Sequence, residues 1–311
     1  MRVFVAGATG AIGRPLLEQL VAAGHEVTGT TRSESKTQAI GAAGAHAAVC
    51  DALDAAALRV AVAEAQPEVV VHQLTALPDR FDPRNKSIYD ATNRLRDEGT
   101  RNLLEASREA GVRRFVSQSI AFSYAHGPTP DVKDEDAPLA MDAPPPFGEG
   151  VRVTQEMERS VVEADWLEGI VLRYGWFYGP GTYYGEDGSI TADVRKRRYP
   201  VIGKGTGLTS FIHVDDAASA TVAAVGGGPP GVYNIVDDEP ARMREWLPLF
   251  AEAMGAKKPL RVPVWIARLA AGPMAGMMNT LPGASNVKAK RELGWAPRWP
   301  TWRTGFREAP R

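Results

Sequence analysis

The sequence is almost without cysteine, since Cys50 is the single cysteine among 311 residues. One thiol excludes an internal disulfide framework and a zinc site built from several cysteines. Histidines and acidic residues nowhere share a predicted helix at metal-ligand spacing, so we expect no metal. No segment reaches the ~18 uninterrupted apolar residues of a membrane helix, and no signal-type segment follows Met1. These absences predict a cytoplasmic protein without a membrane partner.

A surplus of either charge is also missing. Lys plus Arg number 36 and Asp plus Glu 37, which leaves a net charge of -1. This balance argues against a nucleic-acid partner, because nucleic-acid-binding proteins carry a basic surface. Charged residues at 23% and apolar residues at 44% are ordinary for a globular protein, which excludes a disordered chain and a coiled coil. The length allows one large domain or two ordinary ones.

Short apolar segments alternate with helical patterns through the first half of the chain. The predicted strands span residues 3–6, 26–30, 47–50, 68–72 and 113–119. A long helix is expected at 85–110, and a later one at 263–278. Strand alternating with helix predicts an α/β fold with a doubly wound parallel sheet.

A glycine turn follows the first predicted strand, with Gly7, Gly10 and Gly13 three residues apart. Glycines here let the backbone approach a pyrophosphate, whose charge the helix N-terminus stabilises. We expect Thr9 and Ile12 of the same turn to contact this cofactor. The turn therefore predicts a Rossmann sheet, with residues 1–175 mainly dinucleotide-binding. Residues 176–311 are then mainly a small C-terminal substrate lobe, with some segments returning to the Rossmann core.

The end of the second predicted strand bears on the choice of nicotinamide cofactor. NAD sites usually place an acidic residue there, whereas NADP sites place an arginine against the 2′-phosphate. This sequence has Arg32 at that point, and its guanidinium can pair with a phosphate through two hydrogen bonds. The pattern favours NADP(H), and NAD(H) remains an alternative.

Further segments resemble the extended and atypical short-chain dehydrogenases, also described as NAD(P)-dependent epimerase/dehydratase-like proteins. They are Asp51-Ala52-Leu53, His72-Gln73-Leu74-Thr75-Ala76, Leu172-Arg173-Tyr174, Phe211-Ile212-His213-Val214-Asp215-Asp216 and Tyr233-Asn234-Ile235. The resemblance implies an adenine contact for Asp51 and Leu53. It also implies that the cofactor is lined by Gln73, Leu74, Thr75, Ser117 and Tyr174.

The catalytic residues of that family are largely absent. Its members use a serine, a tyrosine and a lysine four residues after the tyrosine, and Ser119 matches the serine. The register of the corresponding helix puts Gly150 at the tyrosine position and Thr154 at the lysine position, and none of the chain's tyrosines has a lysine four residues later. The family's helical asparagine corresponds to Arg96.

Two functional hypotheses follow from these substitutions. The first is an NADP(H)-binding oxidoreductase-like enzyme for a small apolar or aromatic carbonyl or hydroxyl substrate, in which another residue is the acid or none is needed. Tyr178 and Tyr183 are candidates for that acid. The alternative is a non-catalytic NAD(P)-binding sensor or scaffold, or an epimerase or dehydratase with a replaced acid or base.

Aromatic residues cluster just after the predicted sixth strand. Trp176 and Phe177 leave the sheet there, and Tyr124 follows the fifth strand in the same way. Substrate pockets are lined mainly by apolar and aromatic groups. We therefore expect these three residues to contact a small-molecule substrate, in a monomer or a homodimer.

Overall fold

The computed structural model describes residues 1–80, 85, 87–272 and 274–309. The strands in this part of the chain are β1 (Arg2–Ala6), β2 (Glu26–Thr31), β3 (His46–Val49), β4 (Val69–His72), β5 (Arg114–Ile120), β6 (Val132–Lys133), β7 (Glu168–Tyr174), β8 (Trp176–Tyr178), β9 (Val201–Ile202), β10 (Leu208–Thr209), β11 (Phe211–His213), β12 (Gly231–Ile235), β13 (Ala241–Arg242), β14 (Arg261–Val262) and β15 (Gly283–Ala284).

Over the same residues the α-helices are α1 (Gly13–Ala22), α2 (Thr37–Ala42), α3 (Ala55–Ala65), α4 (Asp90–Arg94), α5 (Thr100–Glu109), α6 (Phe147–Val162), α7 (Ser189–Arg195), α8 (Val214–Gly226), α9 (Met243–Ala253), α10 (Val264–Ala271), α11 (Met274–Met277), α12 (Val287–Glu292) and α13 (Trp302–Glu308). A 3-10 turn covers Glu34–Lys36, and a π turn covers Leu95–Gly99.

Among the described residues, seven strands form one parallel sheet in the order β12-β7-β5-β4-β1-β2-β3. Ala6 at the end of β1 pairs with His72 of β4, which in turn pairs with Ser117 of β5. The carboxyl ends of these strands therefore meet at one edge. The strand order reverses at β1, and such a reversal is where open α/β sheets bind ligands. The predicted doubly wound parallel sheet is confirmed.

Helices cover both faces of this sheet. On one face α1 packs against α8, and on the other α3 packs against α5. Central strands such as β4 are buried along their whole length. Their unbroken apolar sequence follows, because a parallel strand covered on both faces has no solvent side.

The helix predicted at 85–110 is interrupted and starts later than predicted. It consists of α4, the π turn and α5, and residue 86 lies outside the described residues. A π turn inserts one extra residue per hydrogen-bonded ring and often occurs at functional sites.

Residues after β7 belong partly to the sheet layer and partly to a second hydrophobic core. Strand β12 and helix α8 return to the sheet layer. Trp246, Phe250 and Phe306 form the separate aromatic core of a smaller unit, together with Trp302 of α13. The helix predicted at 263–278 is divided into α10 and α11, with residue 273 outside the described part. Within the described residues, no helix combines the length and apolarity needed to cross a membrane.

Candidate active site at the carboxyl edge of the sheet

The three glycines of the turn between β1 and α1 differ in how much room surrounds their backbone, and Gly10 has the most. Gly7 has a φ of +93°, and a Cβ atom there would lie 2.7 Å from the carbonyl oxygen of Gln73. A Cβ atom on Gly13 would collide with the carbonyl oxygen of Gly7. At Gly10, by contrast, the nearest atom would be 3.5 Å away. Two glycines are thus required by the fold, and Gly10 leaves the space that a phosphate group needs.

The remaining predicted cofactor contacts divide into surface and interior residues. Thr9, Asp51 and Leu53 are half-buried, while Thr75 and Arg32 are exposed. Arg32 follows β2 directly, as an arginine for a 2′-phosphate must. These residues fit a nicotinamide dinucleotide along the carboxyl edge, with the helix α1 N-terminus at its phosphates.

Gln73, Tyr174 and Ser117 lie inside the protein. The Gln73 side-chain nitrogen donates to the Tyr174 hydroxyl at 2.9 Å, and that hydroxyl is 2.6 Å from Thr221 Oγ1. The Ser117 hydroxyl donates to the Gln118 carbonyl oxygen at 3.3 Å. Tyr174 and Ser117 are predicted to line the cofactor, and both side chains are buried with hydroxyls that bond to protein groups. The Gln73 side-chain oxygen is buried without a partner.

Helix α6 carries the positions of the missing tyrosine and lysine. Thr154 is fully buried, and its hydroxyl donates to the Gly150 carbonyl oxygen at 2.7 Å. A Cβ atom on Gly150 would lie 3.7 Å from Asn93 Oδ1, an acceptor that is buried without a partner. Thr154 therefore has a neutral hydroxyl where the family has the ammonium group, and Gly150 has no side chain where the family has the phenol. Neither can give a proton to a substrate at neutral pH.

Ser119 is held in an interior ionic network. Its hydroxyl donates to Glu158 Oε1 at 2.5 Å. Arg173 donates to the same carboxylate from Nε at 2.8 Å and from Nη2 at 2.6 Å. Since the one hydroxyl proton is used by Glu158, Ser119 does not face a substrate as a donor. The structure places it as a support of helix α6 on β5.

Tyr124 belongs to the same network and not to a pocket wall. Its ring is fully buried, and its hydroxyl accepts from Arg173 Nη1 at 3.0 Å and donates to Asn234 Oδ1 at 2.7 Å. The substrate contact predicted for Tyr124 is corrected by this burial. The ring instead fixes the position of the loop that follows β5.

Two tyrosines proposed as replacement acids have different surroundings. Tyr178 packs edge-on against Phe211, His213 and Phe306, and burial raises its pKa. A Cβ atom on Gly305 would meet its hydroxyl, so α13 closes over it. Tyr178 is thus enclosed in the aromatic core. Tyr183 is half-buried, its pKa is raised chiefly by burial, and its hydroxyl donates to the Pro78 carbonyl oxygen at 2.5 Å.

Arg96 in the π turn is a buried cation beside this site. Only 6% of its surface is exposed, and its Nε has no hydrogen-bond partner. Burial lowers its pKa to about 10, against the influence of Tyr89 and Glu158. Burial and then Arg96 lower the pKa of His72 to about 3, so this imidazole is neutral. The sequence marked Arg96 only as a substitution, and gave no sign of its burial.

An aromatic pair stands at the carboxyl edge of β5 and β7. The Phe122 and Trp176 rings stack with centroids 4.4 Å apart and an interplanar angle of 24°. Both are half-buried. Phe177 instead tilts against Tyr174, 5.4 Å away, at the margin of the main core. Sequence reasoning missed Phe122, because no pattern distinguished it from a core residue.

Comparison with known proteins adds to this geometry. The family model described as "NAD dependent epimerase/dehydratase family" matches residues 3–235. A protein from a Streptomyces species named 3-diazoavenalumate denitrifying reductase is 48% identical over 309 residues, which cover 98% of this chain and 99% of the relative.

Solved structures share the fold at lower identity. A UDP-glucose 4-epimerase from Thermotoga maritima, solved with UDP-glucose, has a TM-score of 0.78 at 23% identity and covers 99% of this chain and 96% of its own. A human epimerase family protein solved with NADPH has a TM-score of 0.76 at 22% identity, with 99% of both chains covered. At this level of identity the two structures support the fold alone.

Proposed function

Because the chain belongs to the NAD-dependent epimerase/dehydratase family, we propose that it is an NADP(H)-dependent reductase whose aromatic substrate accepts hydride without a proton from the protein. The cofactor half of the site supports this, since the glycine turn and the carboxyl edge fit a dinucleotide. A reduced nicotinamide, when bound, supplies the hydride.

The observation that carries the proposal is the replacement of the tyrosine–lysine pair by Gly150 and Thr154. Hydride addition to a ketone leaves an alkoxide, which needs a proton from a nearby acid. Thr154 is buried and bonded to the backbone, and Gly150 has no side chain. Ser119, the remaining family residue, gives its proton to Glu158. A substrate that needs no proton is therefore the better match to these residues.

Diazo compounds meet this condition. An arenediazonium ion that accepts hydride becomes the arene and releases N2, and the dihydronicotinamide becomes its cation. This reaction balances in atoms and charge without a proton. The relative at 48% identity is named as a reductase that removes nitrogen from a diazo compound. We accordingly propose an aromatic diazo compound as the substrate class.

Two features support the finer assignments of cofactor and ring. Arg32 is exposed directly after β2, where its guanidinium can reach a 2′-phosphate, so NADP(H) is the proposed cofactor. The stacked Phe122 and Trp176 rings offer a planar surface to an aromatic substrate. Offset stacking of aromatic rings contributes about 0.5–1.5 kcal/mol beyond the area that it buries.

The test supplies NADPH and a hydroxyarenediazonium salt labelled with 15N at both nitrogens. Mass spectrometry measures labelled N2, and nicotinamide absorbance measures NADPH oxidation. The proposal predicts equal amounts of both, above the rate without protein. Gly10→Val is the control, since it removes cofactor binding and leaves α6 unchanged.

Release of N2 at the rate of the protein-free mixture would contradict the proposal. Tight NADPH binding without turnover of diazo, carbonyl or enone compounds would instead favour the non-catalytic sensor. The two results are separated by measuring NADPH affinity on the same protein preparation.

A further inference from the structure

Among the described residues, Arg96 is a buried positive charge without a carboxylate of its own. Glu158 is the carboxylate that acts on it, but both oxygens of Glu158 already accept hydrogen bonds from Arg173, and Oε1 also accepts from Ser119. Two arginines thus share one carboxylate. A buried cation without its own anion is costly, so its retention calls for an external partner.

The guanidinium also has an unused hydrogen-bond donor. Arg96 Nε is buried and has no partner among the described residues. An arginine presents its N–H groups in a rigid planar fork, which suits two-point contact with an oxyanion. Leaving such a donor unpaired in the interior destabilises the folded protein.

The place of Arg96 in the fold brings it near helix α6, where Gly150 has no side chain. The π turn that carries Arg96 packs directly against α6, as does α4. Asn93, three residues before Arg96, faces Gly150, and its own Oδ1 is unpartnered. Among the described residues, an unpartnered donor on the π turn and an unpartnered acceptor on α4 therefore lie on elements that pack against α6.

We propose that Arg96 binds an anionic oxygen of the substrate, a phenolate or a carboxylate on an aromatic compound, near Gly150, the position without a side chain. This deepens the proposed function and rests on it for the class of substrate. An oxyanion on the same molecule compensates the charge of a diazonium group, so the substrate as a whole suits a buried cation. Arg96 thereby replaces, at a different position, the positive charge that the lysine would have provided.

The test measures binding and no turnover, so it fails or succeeds separately from the proposed reaction. The probes are cinnamate with its neutral isostere cinnamamide, and 4-nitrophenolate with 4-nitroanisole. Each is titrated by calorimetry into the wild-type protein saturated with NADP⁺. Arg96→Gln should weaken binding of at least one anion by about tenfold to a hundredfold and leave its neutral partner unchanged.

Two variants separate this result from a change in folding. Arg96→Lys keeps the charge and should lose less anion affinity than Arg96→Gln. Arg94→Gln is the matched control, because Arg94 is exposed on the same helix and pairs only with Glu98, at 3.0 Å, among the described residues. It should bind all four probes as the wild type does. The affinity for NADP⁺ and the melting temperature are measured on each variant.

The source of the oxyanion follows from which probe responds. Dependence on Arg96 for cinnamate alone identifies a carboxylate, and for 4-nitrophenolate alone a phenolate. Equal loss of an anion and its neutral partner in Arg96→Gln would overturn the proposal. So would a wild-type protein that binds neither anion more tightly than its neutral partner.

Discussion

Two parts of the candidate site, the β1–α1 turn and helix α6, differ in how far they keep the family's residue pattern. At the β1–α1 turn, each glycine has a geometric reason, and Gly10 leaves open space. On helix α6, the positions that should transfer a proton hold Gly150 and a buried Thr154. The turn keeps the glycines that fit a dinucleotide, whereas α6 has lost the tyrosine and the lysine that transfer a proton in the family.

The largest expected effect is the loss of cofactor binding when the β1–α1 turn is changed. Gly10→Val fills the open space with a branched side chain, so neither NADPH nor NADH should bind measurably, while the melting temperature stays within a few degrees. Calorimetry with both cofactors measures this. Gly41→Val is the control, because a Cβ atom on Gly41 has no neighbour within 4 Å. A folded Gly10→Val protein that still binds NADPH would show that the turn is only structural.

A smaller effect concerns the preference of the same part of the site for NADPH over NADH. Arg32→Ala should weaken NADPH by about tenfold to a hundredfold, because a charge-assisted contact contributes about 1.5–3 kcal/mol. NADH affinity should be nearly unchanged. Arg59→Ala, an exposed arginine on α3, should change neither. Equal losses for the two cofactors would remove the assignment of Arg32 to the 2′-phosphate.

Beside helix α6, Ser119→Ala tests whether the Ser119 hydroxyl stabilises the fold or donates a hydrogen bond to the substrate. The hydroxyl donates to the buried Glu158, so its loss should lower the free energy of unfolding by about 1–3 kcal/mol. Urea denaturation measures this change. Ser160→Ala, on helix α6, removes only a part-buried bond to the carbonyl oxygen of Met157 on the same helix and should have little effect. Unchanged stability with a hundredfold slower turnover would restore Ser119 as a catalytic residue.

A further effect concerns the pH dependence of stability. The pKa of His72 falls from 6.5 to about 3 in the folded protein, chiefly through burial. Below pH 6.5 the unfolded state therefore binds more protons, and stability falls as pH falls towards 3. The slope is about 1.4 kcal/mol per pH unit. The stability of His72→Asn should not show this slope below pH 6.5. Above pH 6.5 its pH dependence should match that of the wild type. An equal slope in both proteins would contradict the assignment.

Much of the fold could be predicted because it depends on local patterns. Buried parallel strands are short and apolar, and the glycine turn marks the first crossover. The resemblance to the short-chain dehydrogenases, through the register of one helix, identified Gly150 and Thr154 as substituted positions. These inferences need only spacing along the chain.

Other features depend on contacts between distant segments, which spacing does not encode. Ser119 and Glu158 are 39 residues apart, and their bond decides which way the serine faces. Tyr178 is enclosed by α13, a helix that the pattern did not predict. Phe122 became a site residue only through its stack with Trp176. The surplus charge at Arg96 likewise appears only when the partners of Glu158 are known.

The most direct test of the account compares two substrates with the same aromatic ring. One carries a diazonium group and the other a ketone, and each is mixed with NADPH and the protein in a single-turnover experiment. The account predicts N2 release and NADPH oxidation in equal amounts with the diazonium compound, and no reduction of the ketone. Reduction of the ketone at a comparable rate would show that the site does supply a proton, and would contradict the central claim.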